Sequence, residues 1–283
     1  MSSSTAQAIS LSCVHDRLLT LSLPTQAGKA TRRRRSLTRV ARQVLFIRND
    51  PTAPQALIGD VFAESGFDIG TFDVLPVGTD DPVRTVAFPD PGRYDAIVAL
   101  GARWAAYDDT LPWVGAEMDM LRRALDGGAA VFGVCFGGQL LARALGGTVA
   151  RSTEPEIGWH DVQTDEAGLV PPGPWFQWHF DRFTAPPGAR VVARNASAAQ
   201  AFVHGRALGV QFHPEVDERL VEQWIADGAG EMAALGVDAD GMRARTAQLA
   251  GDAAARLRHL VRGFLALGQC VPHGGEYGVQ RPR

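Results

Sequence analysis

Between residues 43 and 147 the apolar positions come in two alternating textures. Short runs with little polar interruption occupy residues 43–48 (QVLFIR), 67–75, 94–100 (YDAIVAL) and 129–134. Continuous apolar runs of that length fit strands buried on both faces. Between them lie segments that predict helices: residues 54–65, 112–125 and 138–145. In the second, Val114, Met118, Leu121 and Leu125 share one face and Gly127 lies just beyond it, the order expected of a helix and its stop. Gly66 ends the first helix and Gly146-Gly147 the third, because glycine takes a helix-ending backbone conformation without steric cost. Strands alternating with helices predict an α/β fold around a largely parallel sheet.

After residue 147 the pattern shortens. Brief β-like runs at residues 148–151, 161–164, 190–194, 201–204 and 208–212 are separated by proline and glycine. Residues 217–227 and 240–267 then predict helices. In the second, Leu249, Ala253, Leu257, Leu260, Val261 and Phe264 form one apolar stripe, suited to packing on the domain or on a partner. No internal repeat appears, and no linker divides residues 43–268. The expected organisation is an N-terminal extension over 1–42, one domain over 43–268 with its helical C-terminal part at 229–268, and a polar, flexible tail over 269–283.

Charge separates the first segment from the rest. Residues 1–42 hold eight Lys or Arg against one acid, and the remaining residues carry a net charge of −10. An acidic body argues against a nucleic-acid surface. The extension is rich in Ser and Thr and contains TRRRRS at 31–36. It lacks a secretory apolar core, and its Arg-rich, Ser-rich, acid-poor character resembles an organelle transit peptide. A basic nucleic-acid arm is a further alternative, and the reading preferred is a disordered basic tail, or translation begun too far upstream. No apolar run approaches the ~20 residues that span a bilayer. Cys13, Cys135 and Cys270 are far apart, without the spacing of a structural metal site. A cytoplasmic protein with free thiols follows.

Cys135 stands in G-x-C-x-G (Gly133, Gly137), between the fourth predicted strand and the third predicted helix. This is the cysteine form of a nucleophile elbow. A turn that sharp requires neighbours without side chains, and it projects the nucleophile beyond the carboxyl edge of the sheet. The helix N-terminus aimed at the sulfur favours thiolate, and the N–H of Phe136 is placed to stabilise an oxyanion. A small buried cysteine in a Gly-rich turn would look the same in isolation. A base is therefore needed. His213 ends the run at 208–212 and is followed by Pro214-Glu215. In extended backbone, residues two apart point the same way, so Glu215 can orient the His213 imidazole as the acid of a triad does.

Together these residues resemble the class I (triad) glutamine amidotransferases, and most closely the stand-alone type related to the glutaminase domain of GMP synthase. The resemblance runs over residues 43–228. It is carried by YDAIVALGARWAAYDD (94–109), the elbow region 112–147, EIGWHDV (156–162), FQWHFDRFTAPPGA (176–189) and QAFVHGRALGVQFHPEV (200–216). It implies a flavodoxin-like, three-layer α/β/α domain with a mostly parallel central sheet and a small antiparallel part. It further implies that Cys135 attacks the glutamine amide, His213 moves the proton and Glu215 orients His213, through a γ-glutamyl thioester that water hydrolyses. Gln139 would contact substrate, the segment Gln177, Trp178, His179 would offer backbone groups to it, and Gly101 and Ala102 would lie in the loop that completes the oxyanion hole with Phe136. No cofactor and no metal are implied.

Two positions depart from the family pattern. Ala102 stands where a second glycine is usual, and a positive φ there would cost alanine ~1–2 kcal/mol. Phe180 interrupts the usual His-Gly-Asp between His179 and Asp181. Trp104, Trp159, Trp175 and Trp178 lie in or beside the motifs, as pocket walls or as ordinary packing. The chain has no nucleotide-binding GxxxxGK[ST] loop, and its one lysine is Lys29. Ammonia would therefore pass to an acceptor on a synthetase partner, unless the domain acts alone on another γ-glutamyl or amide substrate. A non-catalytic, regulatory relative is the third alternative.

Overall fold

A computed structural model describes residues 41–78 and 82–268. The expected basic extension, except its last two residues, and the expected tail lie outside the described residues. Nine strands form one sheet: β1 (Arg42–Arg48), β2 (Phe67–Asp73), β3 (Ala96–Ala99), β4 (Ala130–Val134), β5 (Thr148–Thr164), β6 (Gly173–Thr184), β7 (Arg190–Arg194), β8 (Ala199–His204) and β9 (Ala207–Val210). Their order is β2-β1-β3-β4-β9-β8-β7-β5-β6. The first five in that order pair in parallel, and from β9 to β6 every pairing is antiparallel.

Helices α1 (Ala56–Glu64), α2 (Pro112–Asp126), α3 (Phe136–Ala144), α4 (Glu218–Asp227), α5 (Ala229–Leu235) and α6 (Ala239–Leu267) complete the described fold. Alternation along β1 shows the three layers. Val44 and Phe46 pack with Phe62 of α1 and Leu257, Leu260 and Phe264 of α6. Leu45 and Ile47 face the other way, toward Trp113 and Leu121 of α2 and Leu140 of α3. The apolar stripe of α6 is thus buried against the sheet. A third cluster joins Phe176 of β6 to Val221 and Trp224 of α4 and Met242 of α6. Side-chain caps fix two of these helices: Asp217 accepts from Leu220 N at 2.7 Å and Asp238 from Gly241 N at 3.0 Å. Among the described residues no helix is long and apolar enough to cross a membrane.

The fold is the flavodoxin-like α/β/α arrangement, with two differences in its antiparallel part. The runs at 148–151 and 161–164 are the two ends of the single strand β5, which a register shift between Arg151 and Glu156 interrupts. Residues 173–184 form a strand whose apolar residues do not mark its inner face: burial alternates strictly from Gln177 to Phe183, but the inward positions include the polar Gln177, His179 and Asp181. The antiparallel part is accordingly four strands wide beyond β9.

Candidate active site

The carboxyl ends of the parallel strands β1, β3, β4 and β9 lie side by side, and the loops leaving them line one cleft, the position open α/β sheets use for ligands. Cys135 follows β4 directly, and its N–H donates to Val210 O at 2.9 Å. It precedes α3 with φ 49° and ψ −110°. Among the described non-glycine residues only Ala56 and Cys135 have positive φ. Such a conformation costs about 1–3 kcal/mol and is held only by its surroundings.

Those surroundings are glycines. A Cβ on Gly133 would lie 2.4 Å from Gly137 O, one on Gly137 2.1 Å from Ala99 O, and one on Gly138 2.4 Å from Val210 O. The first turn of α3 therefore presses directly on β3, β4 and β9, with its positive end at the sulfur. Gly137→Ala is expected to destabilise the fold by about 2–3 kcal/mol, read as a lower urea midpoint with unchanged m-value.

His213 lies three residues beyond β9. Its N–H donates to Phe176 O at 2.7 Å, which clamps its backbone to β6. Its Nδ1 is 2.7 Å from Glu215 Oε1, and the ring lines the same cleft as the Cys135 thiol. Cys135, His213 and Glu215 are 5%, 4% and 1% exposed. Burial alone would lower the imidazole pKa, but the Glu215 carboxylate and the Cys135 sulfur outweigh it and push the group up to about 10. Trp224 packs edge-on against the ring, with centroids 4.7 Å apart.

Phe136 opens α3, so its N–H has no acceptor one turn back. It lines the cleft with Ala102. Ala102 is not among the residues of positive φ, so the backbone cost expected for alanine there does not arise. Gly101 sits behind the imidazole: a Cβ on it would be 3.1 Å from His213 Cε1.

Gln139 also lines the cleft. Its Nε2 donates to Asp181 O at 3.1 Å and to Gln211 Oε1 at 3.4 Å, and Gln211 Nε2 in turn approaches Cys135 Sγ at 3.9 Å. Gln177 is turned away from the cleft: fully buried, it donates to Gln200 Oε1 at 2.8 Å. His179 Nε2 meets Gln177 Oε1 at 3.1 Å and lies 3.4 Å from Glu156 Oε2. Burial acts to raise the Glu156 pKa, but that pairing, with a further bond from Asn195, holds the carboxyl below its usual range. His179 Nδ1 has no partner among the described residues, and His179 lines the cleft beside Trp178.

The tryptophans divide. Trp104 and Trp178 border the cleft, whereas Trp175 stacks on Phe212 at 4.4 Å and Trp159 donates to Thr246 Oγ1 at 2.9 Å. Gln211, Glu156 and Trp224 are among the residues of the site that sequence did not single out. Gln211 carries a signal in principle, a polar residue inside the apolar run 208–212, and Glu156 opens the motif 156–162. Trp224 carries none, because only the tertiary fold brings it to His213.

A strained cysteine at a helix N-terminus, sharing one cleft with an imidazole that a carboxylate orients, is an arrangement suited to acyl transfer in an α/β protein. The glutamine amidotransferase class-I family model matches residues 85–228, about half of the chain, and the chain belongs to that family. It is 36% identical over 132 residues to a glutamine-hydrolyzing GMP synthase subunit of Sulfurisphaera tokodaii, covering 44% of this chain and 68% of that protein. It is 44% identical over 165 residues to a glutamine-hydrolyzing GMP synthase of Parafrankia sp., covering 53% of this chain and 29% of the relative. The match to the Aeropyrum pernix GMP synthase is 35% over 127 residues and 25% of that protein. The chain thus spans about a quarter of the length of these longer relatives. Among solved structures, a glutamine amidotransferase of Thermotoga maritima superimposes with TM-score 0.70 at 27% identity, over 80% of this chain and 99% of that one. One from Methylobacillus flagellatus shares the fold with TM-score 0.71 at 22% identity, over 86% and 100%.

Proposed function

We propose that this chain hydrolyses the side-chain amide of glutamine, with Cys135 as nucleophile, His213 as acid and base, and Glu215 as the group that orients His213. The observation that carries the reading is the buried Cys135 at the mouth of α3, which shares its cleft with a His213 ring held by Glu215 at 2.7 Å. Cys135 passes its thiol proton to His213, the sulfur attacks the γ-carbonyl carbon, and the oxygen that becomes negative is met by the N–H groups of Phe136 and Ala102. The C–N bond breaks, its electron pair stays on nitrogen, and His213 supplies the proton with which ammonia leaves. Water then gives a proton to His213 and adds to the thioester carbon, the C–S bond breaks, and glutamate departs.

Gln139, Trp178 and His179 bind the remainder of the substrate from the cleft walls, and Gly101 and Gln177 support them from behind. The Sulfurisphaera tokodaii relative is one component of a GMP synthase. On that ground we propose that a partner protein holding the acceptor receives the ammonia.

The test is release of glutamate and ammonia from glutamine, alone and with co-purifying proteins, together with covalent labelling by a diazoketone analogue of glutamine. Equimolar label on Cys135 with glutamate release is the expected result. An unlabelled Cys135 and no release under any of these conditions would overturn the assignment.

A further inference from the structure

This inference rests on the thioester reading above and concerns the half of the substrate that leaves. The cleft over Cys135 measures about 860 Å³, in the upper range of sites that enclose drug-sized ligands and more than glutamine fills. The proton indicates where the spare room lies along the reaction. A leaving nitrogen has to reach the side of the His213 ring not engaged by Glu215. Trp224 packs against that ring. Asp227 follows it one turn later at the end of α4, and Glu231 comes a turn further on, in α5. Trp178 closes the same wall: its ring lies 6.1 Å from that of Trp224, and its Nε1 donates to Glu231 Oε2 at 3.1 Å. A Cβ on Gly228 would come within 2.5 Å of the Trp178 indole, so glycine lets the α4–α5 corner close on it. Glu231 lies beyond residue 228, where the family match ends.

The wall therefore offers two indoles and two carboxylates. Among the described residues neither carboxylate forms an ion pair. Arg103, toward which Asp227 exerts some pull, is already held by Asp50 at 2.7 Å. Across the cleft, Arg151 lies over the Phe180 ring at 4.5 Å and 3.8 Å from Asp181. Indoles beside carboxylates that no cationic side chain neutralises suit an organic cation.

We propose that the preferred substrate is a γ-glutamyl amide whose amine half carries a positive charge, as in the γ-glutamyl amide of a diamine. The bonds made and broken are those of glutamine hydrolysis, with the diamine leaving in place of ammonia: the C–N electron pair stays on its nitrogen, which takes the proton from His213.

The experiment compares three substrates with the full chain: γ-glutamylputrescine, its neutral isostere γ-glutamylpentylamide, and glutamine. Cleavage of the cationic amide with kcat/KM about tenfold or more above both others is expected, with the preference weakening in salt. In the double variant Asp227→Asn, Glu231→Gln the ratio of cationic to neutral amide should fall toward one. Hydrolysis of glutamine with no preference for the cationic amide would overturn this proposal and leave the glutaminase reading standing. No hydrolysis of any of the three, with Cys135 unlabelled, would overturn both. The native protein's ratio decides the matter even if the double variant fails to fold.

Discussion

Cys135→Ala is expected to release glutamate from glutamine about 10⁴- to 10⁶-fold more slowly than the native chain, the range seen when a covalent nucleophile is removed. The loss should be chemical and not a matter of folding. Alanine keeps the Cβ that already accommodates φ 49° at this position, and the glycines that hold the turn are untouched. Thermal or urea midpoints close to native would confirm this. His213→Ala should be nearly as severe. It removes the proposed proton carrier and leaves Glu215, 1% exposed, without its imidazole partner, so some loss of stability accompanies the loss of rate. The double variant Cys135→Ala, His213→Ala should be no slower than the worse single one, because groups that act as a unit are not additive. Additive losses would mean that the two residues serve separate steps, and a Cys135→Ala protein that still hydrolyses glutamine would remove the thioester from the mechanism.

Much of this site is visible in the sequence because local rules dictate it. A nucleophile on a tight strand–helix corner requires Gly133 and Gly137, and the atoms they approach are backbone atoms of neighbouring strands. The two-residue spacing of His213 and Glu215 fits their 2.7 Å contact. The parallel core strands are legible for a related reason: β3 is buried at every position, so its code is an unbroken apolar run. β6 and the middle of β5 escape notice because one side of their residues is covered by α4, α5 and α6, partners that a local pattern does not contain. The same holds for Trp224, which reads as an ordinary apolar position on a helix until the fold sets it against His213. Ala102 illustrates the opposite error. A family pattern with two glycines suggests a positive φ, yet Ala102 is not among the residues that adopt one.

Glu117→Gln is expected to stabilise the protein, and increasingly so as pH rises. Glu117 is fully buried on α2. Asn49 Nδ2 donates to its Oε1 at 3.3 Å, and its Oε2 has no partner among the described residues. Burial raises its pKa to about 8, against a smaller lowering by the bond from Asn49. The folded state thus prefers the proton more than the unfolded chain does. Its contribution to stability is complete below the unfolded value of 4.5 and is lost as pH rises through about 8. Glutamine has the same shape and no proton to lose. The stability difference between variant and native protein should therefore widen by about 1.4 kcal/mol per pH unit above 4.5 and level off above 8, at of order 5 kcal/mol. Urea unfolding of both proteins at pH 5, 7 and 9 measures it, and other titrating groups cancel in the comparison. A difference that stays constant across those three pH values would show that Glu117 holds no proton of its own in the fold. The consequence reaches the cleft, because the same Asn49 amide donates to Leu100 O at 3.1 Å, just before Gly101 and Ala102. A neutral side chain at 117 keeps Asn49 in place without burying a charge beneath that loop, so Glu117→Gln should retain glutaminase activity at neutral pH and extend it to higher pH than the native chain.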